Sequence, residues 1–229
     1  MPPAVSFVLA TNNPDKAAEL RRILDRLLPG FAVRALSGAD FPGLDPPEET
    51  GATFEANALL KARAYARATG LLTLADDSGL LVDALDGRPG VLSARYGKTA
   101  AARNARVLEE LAGLPPERRT ARFECVVALA APRPAFAGAP AGRHADLPAL
   151  TRRGTVEGRI AAAPRGQGGF GYDPIFELTE PPHAGRTVAQ LDPAAKDALS
   201  HRGRALAALA PDLRAALSGR GPLFPDLSR

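Results

Sequence analysis

The chain has a single cysteine, Cys125, among 229 residues, one methionine and no tryptophan. One thiol cannot close an internal disulfide and cannot build a cysteine-based zinc site. Aromatic residues make up only 5% of the chain, and they do not interleave with basic residues as in a nucleic-acid stacking platform. His144, His183 and His201 show no metal-ligand spacing. No apolar run approaches the roughly 20 residues that a membrane helix needs. The opening, Met1-Pro2-Pro3-Ala4-Val5-Ser6-Phe7-Val8-Leu9-Ala10, lacks the basic region and the length of a signal peptide. These absences predict a soluble, cytoplasmic protein with neither membrane nor nucleic acid as a partner.

What is there is apolar enough to fold. Apolar residues are 45% of the chain, too many for a disordered sequence. The length allows one sizeable core or two lobes around one sheet. A net charge of +4 favours an anionic ligand without naming it, and the arginines are scattered rather than clustered.

The stretch that says most is Leu71-Leu72-Thr73-Leu74-Ala75-Asp76-Asp77-Ser78-Gly79-Leu80. Its apolar start predicts a strand over 71–75. Asp-Asp-Ser-Gly is a poor strand and a good turn, so the strand is expected to stop at the acids. Open α/β sheets bind ligands where strand ends deliver such residues into a crevice. Two adjacent carboxylates repel each other unless a cation or a proton separates them.

Elsewhere helix and strand alternate. A strand over 5–10 leads to Asn13 as a helix N-cap, with Pro14 at the first helical position. Leu20, Ile23, Leu24, Leu27 and Leu28 keep helical spacing until Pro29-Gly30. A short strand is predicted over 31–35, a Pro-rich loop over 37–51, and a helix over 53–69 with Phe54, Ala58, Lys61, Ala62 and Tyr65 along one side. Then follow a helix over 100–111, a strand over 122–130 and a flexible excursion over 131–150 rich in Ala, Pro and Gly. A returning strand over 152–160 and a helical region from Asp192-Pro193 to residue 217 complete the pattern. It predicts an α/β fold: a mixed central sheet flanked by helices, in two lobes with a cleft between them. Residues 1–218 are read as one domain and 219–229 as a C-terminal tail.

Two glycine motifs fail on context. Gly166-Gln167-Gly168-Gly169-Phe170-Gly171 spells a dinucleotide fingerprint, but no strand leads into it and Tyr172-Asp173-Pro174 prevents an immediate helix. Gly97-Lys98-Thr99 ends like a phosphate-binding loop, yet Leu92 stands where the upstream glycine belongs. Thr11-Asn12-Asn13-Pro14-Asp15-Lys16 lies where a strand turns into a helix. It reads either as a plain cap or as an anion site at a helix N-terminus, with Lys16 adding charge.

Several motifs recur together: Thr11-x-Asn13-x-x-Lys16, Glu49-Thr50-Gly51-x-Thr53-Phe54-x-x-Asn57, Lys61-Ala62, and Ala75-Asp76-Asp77-Ser78-Gly79-Leu80. Further along come Gly90-Val91-x-Ser93-Ala94-Arg95, Gly168-Gly169-Phe170-Gly171-Tyr172-Asp173-Pro174-Ile175-Phe176, Lys196, and Ser200-His201-Arg202-Gly203. In this order they resemble the inosine-triphosphate pyrophosphatase family, enzymes that hydrolyse noncanonical purine nucleoside triphosphates. They span nearly the whole chain; 131–150 and the residues after 217 carry none.

The resemblance implies Mg²⁺-dependent cleavage between the α- and β-phosphates of inosine, deoxyinosine and xanthosine triphosphates (ITP, dITP, XTP). The products are monophosphate and pyrophosphate, which cleanses the nucleotide pool. It implies Glu49 and Asp77 as metal ligands, with Glu48 open as a substitute for Glu49, and Asp77 also as the base for the attacking water. Thr11, Asn12, Asn13, Pro14, Asp15, Lys16 and Lys61 are implied around the phosphates, and Ser78 as a substrate contact. Phe170, Gly171, Tyr172, Asp173, Lys196, His201 and Arg202 are implied around the nucleoside, Phe170 by stacking. A homodimer is implied as well. The alternative is a Maf-like nucleotide pyrophosphatase with another base preference; the stretches 170–176 and 200–203 favour the purine reading.

Overall fold

Val5–Leu9 and Val33–Ser37 run side by side as parallel strands β1 and β2, Val5 opposite Val33 and Leu9 opposite Ser37. Parallel neighbours need a crossover, and helix α1, Pro14–Leu27, supplies it. The computed structural model describes residues 5–31, 33–37, 40–41, 43–132 and 147–218. Asn13 caps α1, its side chain accepting the N–H groups of Asp15 and Lys16, and Pro14 opens the first turn. The buried side of α1 is Ala17, Leu20, Ile23 and Leu24 together with Glu19.

A second crossover, helix α2 (Phe54–Thr69), leads to strand β3 (Thr73–Val82), which pairs in parallel with the other side of β1. Thr53 caps α2 through the N–H of Ala56, and Gly70 ends it in the left-handed region at φ 68°, a conformation glycine adopts without steric cost. The sheet continues through β4 (Thr120–Ala130), β5 (Ala149–Ile160) and β6 (Phe176–Leu178) in the order β2-β1-β3-β4-β5-β6. β6 is antiparallel to β5, so the sheet is mixed. Helices α3 (Ala100–Glu110), α4 (Pro193–Leu199) and α5 (His201–Leu217) complete the α/β fold.

The chain packs as two compact units. Of the described residues, one comprises those up to Asp77, those within 126–153 and those over 205–218; the other comprises Ser78–Cys125 and Gly154–Arg204. Phe7, Leu9, Leu20, Ile23, Tyr65 and Leu74 are fully buried in the first. In the second, Leu80, Val107, Leu111, Phe123, Ile160 and Phe176 anchor one apolar cluster. The rings of Phe123 and Phe176 meet there at 4.4 Å.

Three expectations are corrected. The strand does not stop at the acids: β3 passes through Asp76, Asp77 and Ser78 to Val82. Tertiary context overrides local propensity here, because each carboxylate has a cation or an amide against it. Strand β2 lies over 33–37 rather than 31–35, and the C-terminal helical region is interrupted at Ser200 between α4 and α5. The three-residue strand β6 has no counterpart in the sequence reading. Residues 133–146, most of the expected excursion, and the tail from 219 lie outside the described residues.

Candidate active site

Right-handed crossovers fix where the acids point. β1–α1–β2 moves one way along the sheet and β2–α2–β3 moves back past β1, so α1 and α2 cover opposite faces. Successive strand residues also face opposite sides. Asp76 accordingly meets α1, with Lys16 Nζ 3.2 Å from its Oδ2. Asp77 meets α2, its Oδ2 accepting from Asn57 Nδ2 at 3.0 Å and its Oδ1 lying 3.8 Å from Lys61 Nζ. The two carboxylates are adjacent in sequence, yet each has its own counter-group. The acids lie within β3 just past the end of β1, where the chain's connections diverge, the usual ligand position of an open α/β sheet.

Lys61 is shared. Besides Asp77 it donates to Glu49 Oε1 at 2.7 Å, so two carboxylates converge on one ammonium. Glu49 rather than Glu48 is brought to this point; Glu48 is exposed. Asp76 and Asp77 are 1% and 6% exposed. Burial is the largest influence on Asp77 and pushes its carboxyl up; Lys61, Lys16 and the Asn57 hydrogen bond pull it back without cancelling the rise. Burial pulls the Lys61 ammonium down, but Asp76, Asp77 and Glu49 outweigh it and its pKa ends raised. Lys61 therefore stays charged at neutral pH.

Among the described residues no group of three or more His, Cys, Asp or Glu is assembled to hold a metal ion. The cluster offers two carboxylates directed at one positive charge. That donor set fits Mg²⁺, a hard cation bound by one or two carboxylates while water and phosphate oxygens complete its shell. Thr11–Lys16 is occupied by its own capping: Asn13 Oδ1 takes the N–H groups of Asp15 and Lys16, Thr11 Oγ1 takes that of Asn13, and Tyr65 donates to Asn12 at 3.4 Å. Pro14 and Asp15 are exposed beside it.

The second unit gathers the other set around Phe170. Lys196 Nζ lies 4.3 Å from the ring centroid and the Arg202 guanidinium 5.9 Å from it. Asp173 holds this group together: its Oδ2 accepts the Phe170 N–H and the Lys196 ammonium, each at 2.7 Å. Gly169 stands at φ 70°, and a Cβ there would fall 2.1 Å from Asp173 Oδ2, so only glycine fits the turn. Arg202 is 1% exposed and donates to Ser78 Oγ at 2.9 Å. His201 stacks on Phe123 at 4.8 Å. Beside it Asp173, Lys196, Ser200 and His201 rim a small, mainly apolar hollow.

Tyr172 does something else. Its ring belongs to the apolar cluster and its hydroxyl donates to the Ser93 carbonyl at 2.8 Å, so the side chain serves the core. Burial pushes the phenol well above its usual range. Tyr172→Phe strips that buried carbonyl of its donor and is expected to lower unfolding stability by about 1–3 kcal/mol, read from urea denaturation. Sequence reasoning missed two partners: Asp76 as the seat of Lys16, and Asn57 as the amide on Asp77. Asn57 was visible as a motif letter; nothing local says what it touches.

The fold and these side chains define an α/β protein with an acid–lysine cluster on its third strand. Residues 7–212 match the Ham1 family, and the chain belongs to that family. It is 49% identical over 197 residues to a protein of Geobacter sulfurreducens named dITP/XTP pyrophosphatase, covering 85% of this chain and 89% of that one. It is 50% identical over 197 residues to a protein of that name from Nocardia farcinica, with coverages of 84% and 87%. A solved Ham1 protein from Coxiella burnetii superposes with a TM-score of 0.75 at 43% identity, covering 92% of this chain and 98% of that one.

Proposed function

We propose that this chain hydrolyses noncanonical purine nucleoside triphosphates, dITP and XTP among them, between the α- and β-phosphates, releasing monophosphate and pyrophosphate. The observation that carries this reading is the convergence of Glu49 and Asp77 on Lys61. It occurs in a chain 49% identical to a dITP/XTP pyrophosphatase.

Glu49 and Asp77 are the residues that would hold Mg²⁺. Bound there, the ion would draw in phosphate oxygens and make a nearby water more acidic. Asp77 accepts the proton of the water that attacks the α-phosphorus. Lys16 and Lys61 exchange their carboxylate partners for phosphate oxygens and offset the charge that develops on the leaving pyrophosphate. The 11–16 turn borders the phosphates; Ser78 is a substrate contact. Phe170 offers its ring to the purine, with stacking worth about 1–3 kcal/mol per base, and Lys196, His201 and Arg202 supply polar contacts to it. A homodimer, carried over from the family resemblance, and a cytoplasmic setting, expected from the sequence, accompany this reading. Light scattering of the full chain is expected to give the mass of two chains.

Bond choice is the direct test. With dITP and Mg²⁺, the expected products are deoxyinosine monophosphate and intact pyrophosphate, separated by ion-exchange chromatography. Deoxyinosine diphosphate with orthophosphate would mean that the β,γ bond is cut, and this mechanism would be wrong.

A further inference from the structure

Asn57 is buried beside the carboxylate cluster and has no part in the reaction described above. Asparagine is a weak helix former because its side chain competes for backbone groups, yet it stands in the first turns of α2 and is 1% exposed. Its Oδ1 accepts the Gly51 N–H at 2.7 Å, and its Nδ2 donates to Asp77 Oδ2 at 3.0 Å. A backbone N–H only donates and a carboxylate only accepts, so one orientation of the amide serves both. The Gly51 side fits closely: a Cβ on Gly51 would lie 2.6 Å from Asn57 Oδ1 and 2.8 Å from Ala56 Cβ.

Two residues before Gly51 is Glu49. One helical turn beyond Asn57 is Lys61, which donates to Glu49 at 2.7 Å and faces the other Asp77 oxygen, Oδ1, at 3.8 Å. With Oδ2 tied to the amide, Oδ1 is the oxygen turned toward the ammonium. Among side chains of this size, asparagine alone can accept from Gly51 and donate to Asp77 at once without taking up a proton.

We infer that Asn57 is a positioning residue: it sets the rotation of the Asp77 carboxylate and, through Gly51, the loop that carries Glu49, so that both present oxygens to one cation. The inference rests on Glu49 and Asp77 being cation ligands. Groups that orient metal ligands in this way commonly change metal affinity or activity by about 10–100-fold.

The test compares full-length wild type, Asn57→Ala and Asn57→Asp, each checked for folding by circular dichroism. Mn²⁺ binding without nucleotide is read by electron paramagnetic resonance, and kcat and KM are measured on dITP with Mg²⁺. Asn57→Ala is expected to weaken Mn²⁺ binding by about tenfold or more and to lower kcat by about 10–100-fold with KM little changed. Asn57→Asp keeps the size and the acceptor for Gly51 but turns a carboxylate oxygen on Asp77. It is expected to lose at least as much kcat as Asn57→Ala. A wild-type kcat in Asn57→Asp overturns the proposal, because it leaves Asn57 pinning only the Gly51 loop; this result decides even if Asn57→Ala does not fold. Unchanged Mn²⁺ affinity and kcat in a folded Asn57→Ala overturn it too. If the wild type leaves dITP intact while Mn²⁺ affinity still drops in Asn57→Ala, the proposed reaction falls and the positioning role stands.

Discussion

Asp77→Asn is expected to lower kcat at least about a hundredfold and, in the presence of a chelator, to raise the melting temperature at neutral pH. The first effect follows from losing one ligand oxygen's charge and the proposed base while shape is nearly kept. The second follows from proton linkage. Burial raises the Asp77 pKa above its ordinary value of 3.8. Through the window that starts there and extends upward, the folded chain binds more protons than the unfolded one. Stability therefore falls as pH rises through that window. A neutral amide at this position removes that loss. Lys61 keeps Glu49 at 2.7 Å, so its charge retains a partner in the variant. Scanning calorimetry in chelator should show a flatter pH profile for Asp77→Asn than for wild type. Near-normal turnover of the variant at saturating Mg²⁺ would move the base to another carboxylate.

The second large effect concerns the base. dATP is expected to be hydrolysed about 10⁴-fold less efficiently than dITP in kcat/KM. The 6-keto oxygen of hypoxanthine accepts hydrogen bonds, whereas the 6-amino group of adenine donates them. Around Phe170 stand an ammonium and a guanidinium, Lys196 and Arg202, which have donors and no acceptor. Arg202 is almost wholly buried, so a donor facing another donor finds little water to relieve it. Sites built around a specific hydrogen bond reject the mismatched partner strongly for this reason. Arg202→Ala should narrow the ratio chiefly by slowing dITP. Equal efficiencies on dITP and dATP, or a ratio unmoved in Arg202→Ala, would remove this account of selectivity.

How much could be read from the sequence depended on how far apart the deciding groups are. The ends of α1 and α2 were legible because their chemistry is local: Asn13 and Pro14 at one start, Thr53 at the other, Gly70 at a stop. The course of β3 was not. Asp76 is paired with a lysine 60 positions away and Asp77 is hydrogen-bonded by an amide 20 positions away, and without those partners Asp-Asp-Ser-Gly reads as a turn. Tyr172 likewise depends on a carbonyl 79 positions away. The acids, the lysines and Phe170 were named from motif letters, but which counter-group each one holds came only from the three-dimensional arrangement.

The uninterrupted course of β3 has a consequence for how the two carboxylates can change over evolutionary time. Asp77 lies on a strand buried along nearly its whole length, where amide hydrogens exchange only when large parts of the fold open. Glu49 comes from a loop and its side chain is 30% exposed. One proposed donor is fixed by the scaffold; the other sits on a loop held at Glu49 and Gly51 whose preceding positions can vary. Variation that retunes cation demand should therefore accumulate over 45–48, while 74–80 stays closed to change. Hydrogen–deuterium exchange should show the same division, with fast labelling around Glu49 and slow labelling through Asp77.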